Sequence, residues 1–273
     1  MIWSCLPVSL FAEIIAGRMS VLEWANAARE MGMDAIDMSI LFFPHRTATA
    51  VAGVKRQLRE SGMPVAMITT YPDFTQPDRG MREHEIAHAV SDIAIAAELG
   101  AKYVRITAGQ VHPYLNDEEG IKLAADGIAH CCRYAGKWGV ELLLENHSKP
   151  GAWDNPDFVF HTGRFLKLVD ALCGLPVGIN FDTANTYALG DNAAEVFDRV
   201  YNRVVSIHIN DIADCVNLSF VGIGDGSAPI KDIFSIAKKR GFDGLLSIEE
   251  VGHEGLVGIR RSFERSKFLW REA

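Results

Sequence analysis

One local pattern recurs along this chain: an amphipathic helix, a glycine, then a short apolar strand. Ala28-Arg29-Glu30-Met31-Gly32 leads into Ala35-Ile36-Asp37-Met38. Gly62 precedes Pro64-Val65-Ala66-Met67-Ile68, and Gly100 precedes Tyr103-Val104-Arg105-Ile106. Gly139 precedes Glu141-Leu142-Leu143-Leu144, and Gly241 precedes Leu245-Leu246-Ser247-Ile248. Glycine just past a helix end accepts the left-handed conformation that stops the helix, so each one marks a helix-to-strand turn. Three further strands are predicted at Ile2 to Ser9, Val177 to Asp182 and Val204 to Asn210. The helices that fit between the strands cover about 20–32, 47–61, 81–99, 118–138, 157–172, 191–200, 230–240 and 258–270. Ser20 and Glu23 have the spacing of a capping box at the first helix start. Strands that alternate with helices form parallel sheets. Eight such units in 273 residues predict a single (β/α)8 barrel spanning 1–273. An open doubly wound sheet usually carries a Gly-rich phosphate loop after an early strand, and this chain has none.

Composition removes several function classes. Net charge is −8, which does not build the positive footprint of a nucleic-acid binder. No apolar run reaches the ~20 residues that span a bilayer. The apolar start, Met1 to Leu10, has no basic residue and is soon followed by Glu13, unlike a signal peptide. The five cysteines are odd in number and lack paired metal-binding spacing, so they read as reduced thiols of a cytoplasmic protein.

Period-two alternation then assigns faces. In Val177 to Asp182, the residues Val177, Ile179 and Phe181 oppose Gly178, Asn180 and Asp182. In Val204 to Ile209, Val205, Ile207 and Ile209 oppose Val204, Ser206 and His208. In Val140 to Glu145, Val140, Leu142 and Leu144 oppose Glu141, Leu143 and Glu145. In Leu245 to Glu250, Leu246 and Ile248 oppose Leu245, Ser247 and Glu249. A barrel strand gives its apolar face to the outer helices, so the second face in each case points inward. Arg105 is inward by the same count, and Glu250 is outward. Glu145, Asp182, His208 and Glu249 therefore end four strands on the inside, at the edge where barrel enzymes place their chemistry. Three crowded carboxylates repel one another, and a divalent cation is the simplest compensation. A set rich in oxygen donors suits manganese first, with magnesium, cobalt or zinc as alternatives.

These stretches resemble the xylose isomerase-like barrel superfamily, in its sugar phosphate isomerase/epimerase group, with D-tagatose 3-epimerase and hydroxypyruvate isomerase as relatives. The residues that carry the resemblance are Leu142-Leu143-Leu144-Glu145-Asn146-His147, Asn180-Phe181-Asp182-Thr183-Ala184-Asn185 and Ser206-Ile207-His208-Ile209-Asn210-Asp211. Gly241 to Glu249 and Val221-Gly222-Ile223-Gly224-Asp225-Gly226 complete the ordered set. The resemblance implies metal ligands at Glu145, Asp182, His208 and Glu249, and proton transfer by Glu145 and Glu249. It implies a small polyhydroxy carbonyl substrate and isomerase or epimerase chemistry through a metal-stabilised enediolate. A dehydratase or lyase on the same scaffold, and a non-catalytic metal- or sugar-binding barrel, are the alternatives. Where epimerases of the group often carry histidine, arginine and lysine, this chain has Asn185, Asp214 and Asn210. The endonuclease branch needs extra histidines for a three-metal cluster, which again argues against nucleic acid.

Arg105, His147, Asn185 and Trp153 are candidate substrate contacts. His147 shares the face of Glu145 just past its strand. Trp153 offers a ring that stacks on a sugar. For Arg105 the bland reading is a salt bridge to Glu141 or Asp37; for the other three it is packing or surface. His112 and His253 lie in loops at the same edge, while Glu13 and Asp37 have no assigned role. No membrane partner is expected, and a homo-oligomer is compatible with this reading.

Overall fold

The computed structural model describes residues 1–148, 151, 153–215 and 218–273. Eight parallel strands form one sheet: β1 (Ile2–Leu6), β2 (Ile36–Ser39), β3 (Val65–Thr69), β4 (Tyr103–Ile106), β5 (Glu141–Glu145), β6 (Val177–Asp182), β7 (Val204–Ile209) and β8 (Leu245–Glu249). Their order is β1-β8-β7-β6-β5-β4-β3-β2. A five-residue ladder from Ile2↔Leu245 to Leu6↔Glu249 joins β1 to β8. The last gap is closed more lightly: the Trp3 carbonyl accepts from the amides of Asp34 at 3.0 Å and Ala35 at 3.2 Å. Helices α1 (Val21–Met31), α2 (Ala48–Ser61), α3 (Arg79–Glu98), α4 (Asp117–Trp138), α5 (Thr162–Ala171), α6 (Ala193–Val200), α7 (Ile230–Lys239) and α8 (Gly255–Glu272) follow the strands in turn. This is the (β/α)8 barrel that the repeated pattern predicts. Among the described residues, no helix is long and apolar enough to cross a membrane.

Local sequence explains the boundaries. The capping box forms: Glu23 N donates to Ser20 Oγ at 3.1 Å and Ser20 N to Glu23 Oε2 at 2.7 Å. Thr47, Asp78, Asn116 and Asn192 each accept a first-turn amide, starting α2, α3, α4 and α6. The five turn glycines are left-handed; Gly32 (φ 85) and Gly139 (φ 71) close α1 and α4. On α1, Val21, Trp24, Ala25 and Ala28 are buried. That spacing makes one apolar stripe facing the barrel.

Four expectations change. Strand β1 ends at Leu6 rather than Ser9, because Pro7 has no amide for the ladder; Val8–Leu10 and Phe11–Ile15 are short helical turns instead. The helix expected over 157–172 splits: Phe158–Phe160 is one 3-10 turn, and His161, extended at φ −69 and ψ 117, caps α5. A two-stranded ribbon, Asp211–Ile212 against Phe220–Val221, was not anticipated. Val205 packs inside the barrel with Ala66, Tyr103, Leu143 and Leu245 rather than facing outward. The register shifts between Ile179 and Asn180, which pair with Val204 and Ser206, so Val205 is the extra residue of a bulge. A bulge breaks the two-residue period locally.

These inward apolar residues plug the lower barrel. The larger core lies between strands and helices and includes fully buried Trp24, Phe165, Phe181, Phe197 and Phe234. Above the plug the interior turns polar, with Ser4, Asp37, Arg105, Asn180 and Ser247 fully buried.

The loops after β3 and β4 are tied together beside the barrel mouth. Asp73 accepts from Thr75 Oγ1 (2.9 Å), Gln110 N (3.1 Å) and Gln110 Nε2 (3.1 Å), and pairs with His112 Nε2 (3.0 Å). Gly109 makes this approach possible. Its φ is +128, and an added Cβ would collide with Thr75 and Asp73. Gly109→Ala is expected to cost about 1–3 kcal/mol of stability or more, read as a lower urea midpoint, because strain and clash act together. An unchanged midpoint would show that the loop yields freely.

Candidate metal centre

The polar top of the barrel is assembled by strand register. Glu145 lies opposite Asn180, Asp182 opposite His208, and His208 opposite Ser247. Glu145, Asp182, His208 and Glu249 each present one ligand atom, all within 4.8 Å of one another. The first three are fully buried, and the Glu249 side chain is 14% exposed.

His208 turns Nδ1 toward the acids. It stands 2.6 Å from Glu145 Oε1 and 3.4 Å from Glu249 Oε2. Asn180 Nδ2 donates to the same Glu145 Oε1 at 2.8 Å, and Arg105 Nε lies 3.1 Å from Glu145 Oε2. Asp182 Oδ1 accepts from the amides of Ala184 (2.8 Å) and Asn185 (2.7 Å). Asn210 Nδ2 spans Asp182 Oδ2 and Glu249 Oε2, 3.4 Å from each.

The charges are in conflict. Burial, then the neighbouring Glu249 and Glu145, push the Asp182 carboxyl well above the usual range. Burial acts the same way on Glu145, but the His208 and Arg105 charges outweigh it and hold Glu145 well below. Burial also opposes a charged His208, yet Glu145 and Glu249 raise its pKa well above the ordinary value. Protons on Asp182 and His208 thus relieve the crowding, and a divalent cation supplies the same relief with more charge. Three carboxylates and one imidazole whose ligand atoms all lie within 4.8 Å of one another fit such an ion.

A cavity of about 270 Å³ opens above this cluster. Its polar lining is His147, Ser148, Asn185, Asn210 and Glu249. The rest of its lining is apolar and aromatic, with Val8, Phe11, Leu41, Tyr71, Phe220 and Val251, and the Tyr71 ring packs edge-on against His147 at 6.2 Å. Of the two glutamates assigned proton transfer, Glu249 lines the cavity and Glu145 lies behind it.

The four residues expected to touch substrate are placed differently from one another. His147 and Asn185 are in the cavity wall. Asn185 Oδ1 is buried with no partner among the described residues. His147 Nδ1 stands 3.5 Å from Asp157 Oδ2. Burial raises the Asp157 carboxyl to about 6, against the pull of His147. Arg105 points inward as alternation requires, but it is fully buried beneath the cavity. It is held by Glu145, by the Thr70 carbonyl (3.0 Å) and by the Tyr71 ring (4.6 Å). The bland reading had a buried ion pair; its partner is Glu145, not Glu141 or Asp37. Trp153 is half-buried and is not among the described residues lining the cavity. Sequence reasoning missed the roles of Asn180 and Asn210, although each shares the inward parity of a ligand two residues away. It also missed Asp157, which no local spacing links to His147.

Comparison with known proteins agrees with the fold. A family model described as a xylose isomerase-like TIM barrel matches residues 25–269. An inosose dehydratase of Clostridium beijerinckii is 27% identical over 152 residues, 50% of this chain and 48% of the dehydratase. Endonuclease 4 of Thermus thermophilus is 26% identical over 212 residues, 72% and 73% of the two chains. The chain spans about half to two thirds of the inosose dehydratases it matches. A D-tagatose 3-epimerase-like protein superposes with a TM-score of 0.80 and 16% identity, covering 100% of this chain and 99% of that one. The IolI protein, with a bound zinc atom, gives 0.79 and 17% over 100% and 99%.

Proposed function

Because this chain belongs to the xylose isomerase-like TIM-barrel family, we propose that it is a divalent-metal-dependent enzyme that isomerises or epimerises a small polyhydroxy carbonyl compound. The observation that carries this reading is that Glu249 belongs at once to the four-donor cluster and to the cavity wall. Glu145, Asp182, His208 and Glu249 would hold the ion. When bound, it polarises a substrate carbonyl. The oxygen-rich donor set favours manganese, and zinc is the competitor suggested by the similar IolI protein.

The chain's own residues supply the rest. Glu249 takes the proton from the carbon beside the carbonyl, and the C–H electron pair moves toward the carbonyl oxygen. Asn210 orients Glu249 by bridging it to Asp182. Asn185 Oδ1 accepts a substrate hydroxyl. A proton returned to the same carbon on its other face gives an epimer; one returned to the neighbouring carbon gives the aldose–ketose isomer. Glu145 is the proposed second carrier. Arg105 and Asn180 keep its carboxylate ionised and oriented.

A second reading, dehydration, is favoured by His147. It lines the cavity with Asp157 3.5 Å from its Nδ1, and it is suited to protonating a departing hydroxyl. The similarity to inosose dehydratases supports the same reading.

Manganese-loaded protein incubated in D2O with keto-sugars, inositol-derived ketones and keto-acids distinguishes the two. Deuterium entering the carbon beside the carbonyl, with every hydroxyl retained, is the expected result. Loss of a hydroxyl would select the dehydratase. A small molecule, not nucleic acid, is the proposed partner, consistent with the net charge of −8. Incision of abasic-site DNA that disappears in Glu249→Gln would overturn that.

A further inference from the structure

Asp37 of β2 lies inside the barrel and is fully buried. The chemistry above does not use it. Its Oδ2 accepts from Ser4 Oγ of β1 at 2.9 Å and from Ser247 Oγ of β8. Ser247 is directly opposite His208 in the β8–β7 ladder. Asp37 is thus anchored one strand away from a residue of the donor cluster. Its other oxygen, Oδ1, is buried and makes no well-aligned hydrogen bond among the described residues, with the Met67 amide a backbone donor acting on the carboxylate.

His208 shows the complementary pattern. Nδ1 faces Glu145 and Glu249, while Nε2 is buried and without a partner. Ser206 Oγ, two residues earlier on the same face of β7, is a third buried atom without a partner. A bare buried donor or acceptor is costly, because it has given up its hydrogen bonds to water for nothing. Native interiors satisfy such groups, often with a water that makes two to four hydrogen bonds. Here the ring N–H is a donor, the carboxylate oxygen an acceptor, and the serine hydroxyl either. The ring and the carboxylate do not bond directly.

We propose that Asp37 acts as a positioning residue for the metal centre: through one buried water shared with Ser206, it holds the Nε2–H of His208 and so leaves the Nδ1 lone pair to the ion. The inference rests on the metal reading above. The physical warrant is general: a metal-bound imidazole whose second nitrogen donates to a carboxylate or water is fixed in tautomer and orientation. Without that bond the tautomer and orientation of the ring are less well fixed, and binding weakens.

The test combines a structure with an affinity. A high-resolution crystal structure of the zinc-loaded protein is expected to show an ordered water bonded to both Asp37 Oδ1 and His208 Nε2. In competition with a chromophoric chelator, Asp37→Asn is expected to bind zinc about 10–100-fold more weakly, the usual scale for losing such support. Ser247→Ala removes only an Oδ2 contact, so it should lower the Tm yet keep wild-type zinc affinity. A purely structural Asp37 would lower the Tm in both variants and change affinity in neither. If Asp37→Asn does not fold, Ser206→Ala replaces it, because it removes the third partner of the water and should also weaken zinc binding. No water at that position, or unchanged zinc affinity in a folded Asp37→Asn, overturns the inference alone. Wild-type protein that binds no zinc overturns the metal reading and this inference together.

Discussion

Asp182→Ala is expected to bind no divalent ion and to lose all metal-dependent thermal stabilisation. Asp182 is fully buried, and its Oδ1 is fastened by two backbone amides while Oδ2 points to Asn210 near Glu249. A ligand that binds only the folded state stabilises it by about 4 kcal/mol at a thousand times its Kd. Wild-type protein titrated with manganese should therefore show a rising Tm, and Asp182→Ala a flat one. The pH dependence has a defined sign. Asp182 and His208 both have raised pKa values in the folded chain, so both tend to carry protons that an ion must displace. Acidification through their titration range weakens metal binding, and calorimetry in buffers of different ionisation enthalpy should record proton release. The same groups favour the protonated folded state, so the stability they contribute without added metal is greatest at low pH. That contribution is lost as pH rises through their folded pKa values. Manganese that stabilises Asp182→Ala as well as wild type would remove the ion from this site.

Glu249→Gln is expected to lower turnover by ~10²-fold or more, the scale of a lost general base. Glutamine keeps the shape and one carbonyl oxygen, so metal affinity should fall less than turnover. Glu145→Gln is expected to be as slow if both carboxylates carry protons. Its position gives the comparison more content. Both Glu145 oxygens are already engaged, by Asn180, His208 and Arg105. A glutamine there would place an amide beside the Arg105 guanidinium or the His208 ring. A Glu145→Gln protein that folds and binds manganese yet stays inactive supports the two-glutamate assignment. If it stays active while Glu249→Gln does not, Glu145 serves as a ligand only, which favours the dehydratase pair of Glu249 and His147. Full activity in both variants would remove the assignment altogether.

Much of this was legible in the chain because two simple periods hold for most of it. Glycine at helix ends and alternation along strands are local rules, and they placed Glu145, Asp182, His208 and Glu249 on one inner edge. They failed where geometry was not periodic. Val205 sits in a bulge, so counting from His208 put it on the wrong face. His161 interrupts a helix because its side chain caps the next one, a role its residue type rarely advertises. Alternation gives a side chain's face and not its height. Arg105 is inward but pairs across the ladder with Leu143, two residues below Glu145, so it meets the carboxylate from beneath rather than the cavity. Asp157 reaches His147 from a loop beyond strand β5, and Asp37 reaches Ser247 across 210 residues of chain. Spacing within one segment carries no information about such pairs.

The barrel is a closed ring with unequal links. Every neighbouring strand pair has a ladder except β1 and β2, which are held by the Trp3 carbonyl, by Trp3 N donating to Asp34 Oδ2 at 2.9 Å and by the Ser4–Asp37 bond. A ring strained by thermal motion parts first at its weakest link. Breathing of this fold is therefore expected to concentrate at the β1–β2 seam, read as faster hydrogen exchange of its amides than of those in the laddered strands. The four cluster residues lie on β5, β6, β7 and β8, which stay laddered to one another while the seam opens. The four donors thus sit on the laddered side of the ring, and Asp37, which bonds Ser4 of β1 and Ser247 of β8, is the residue that ties the seam to that side.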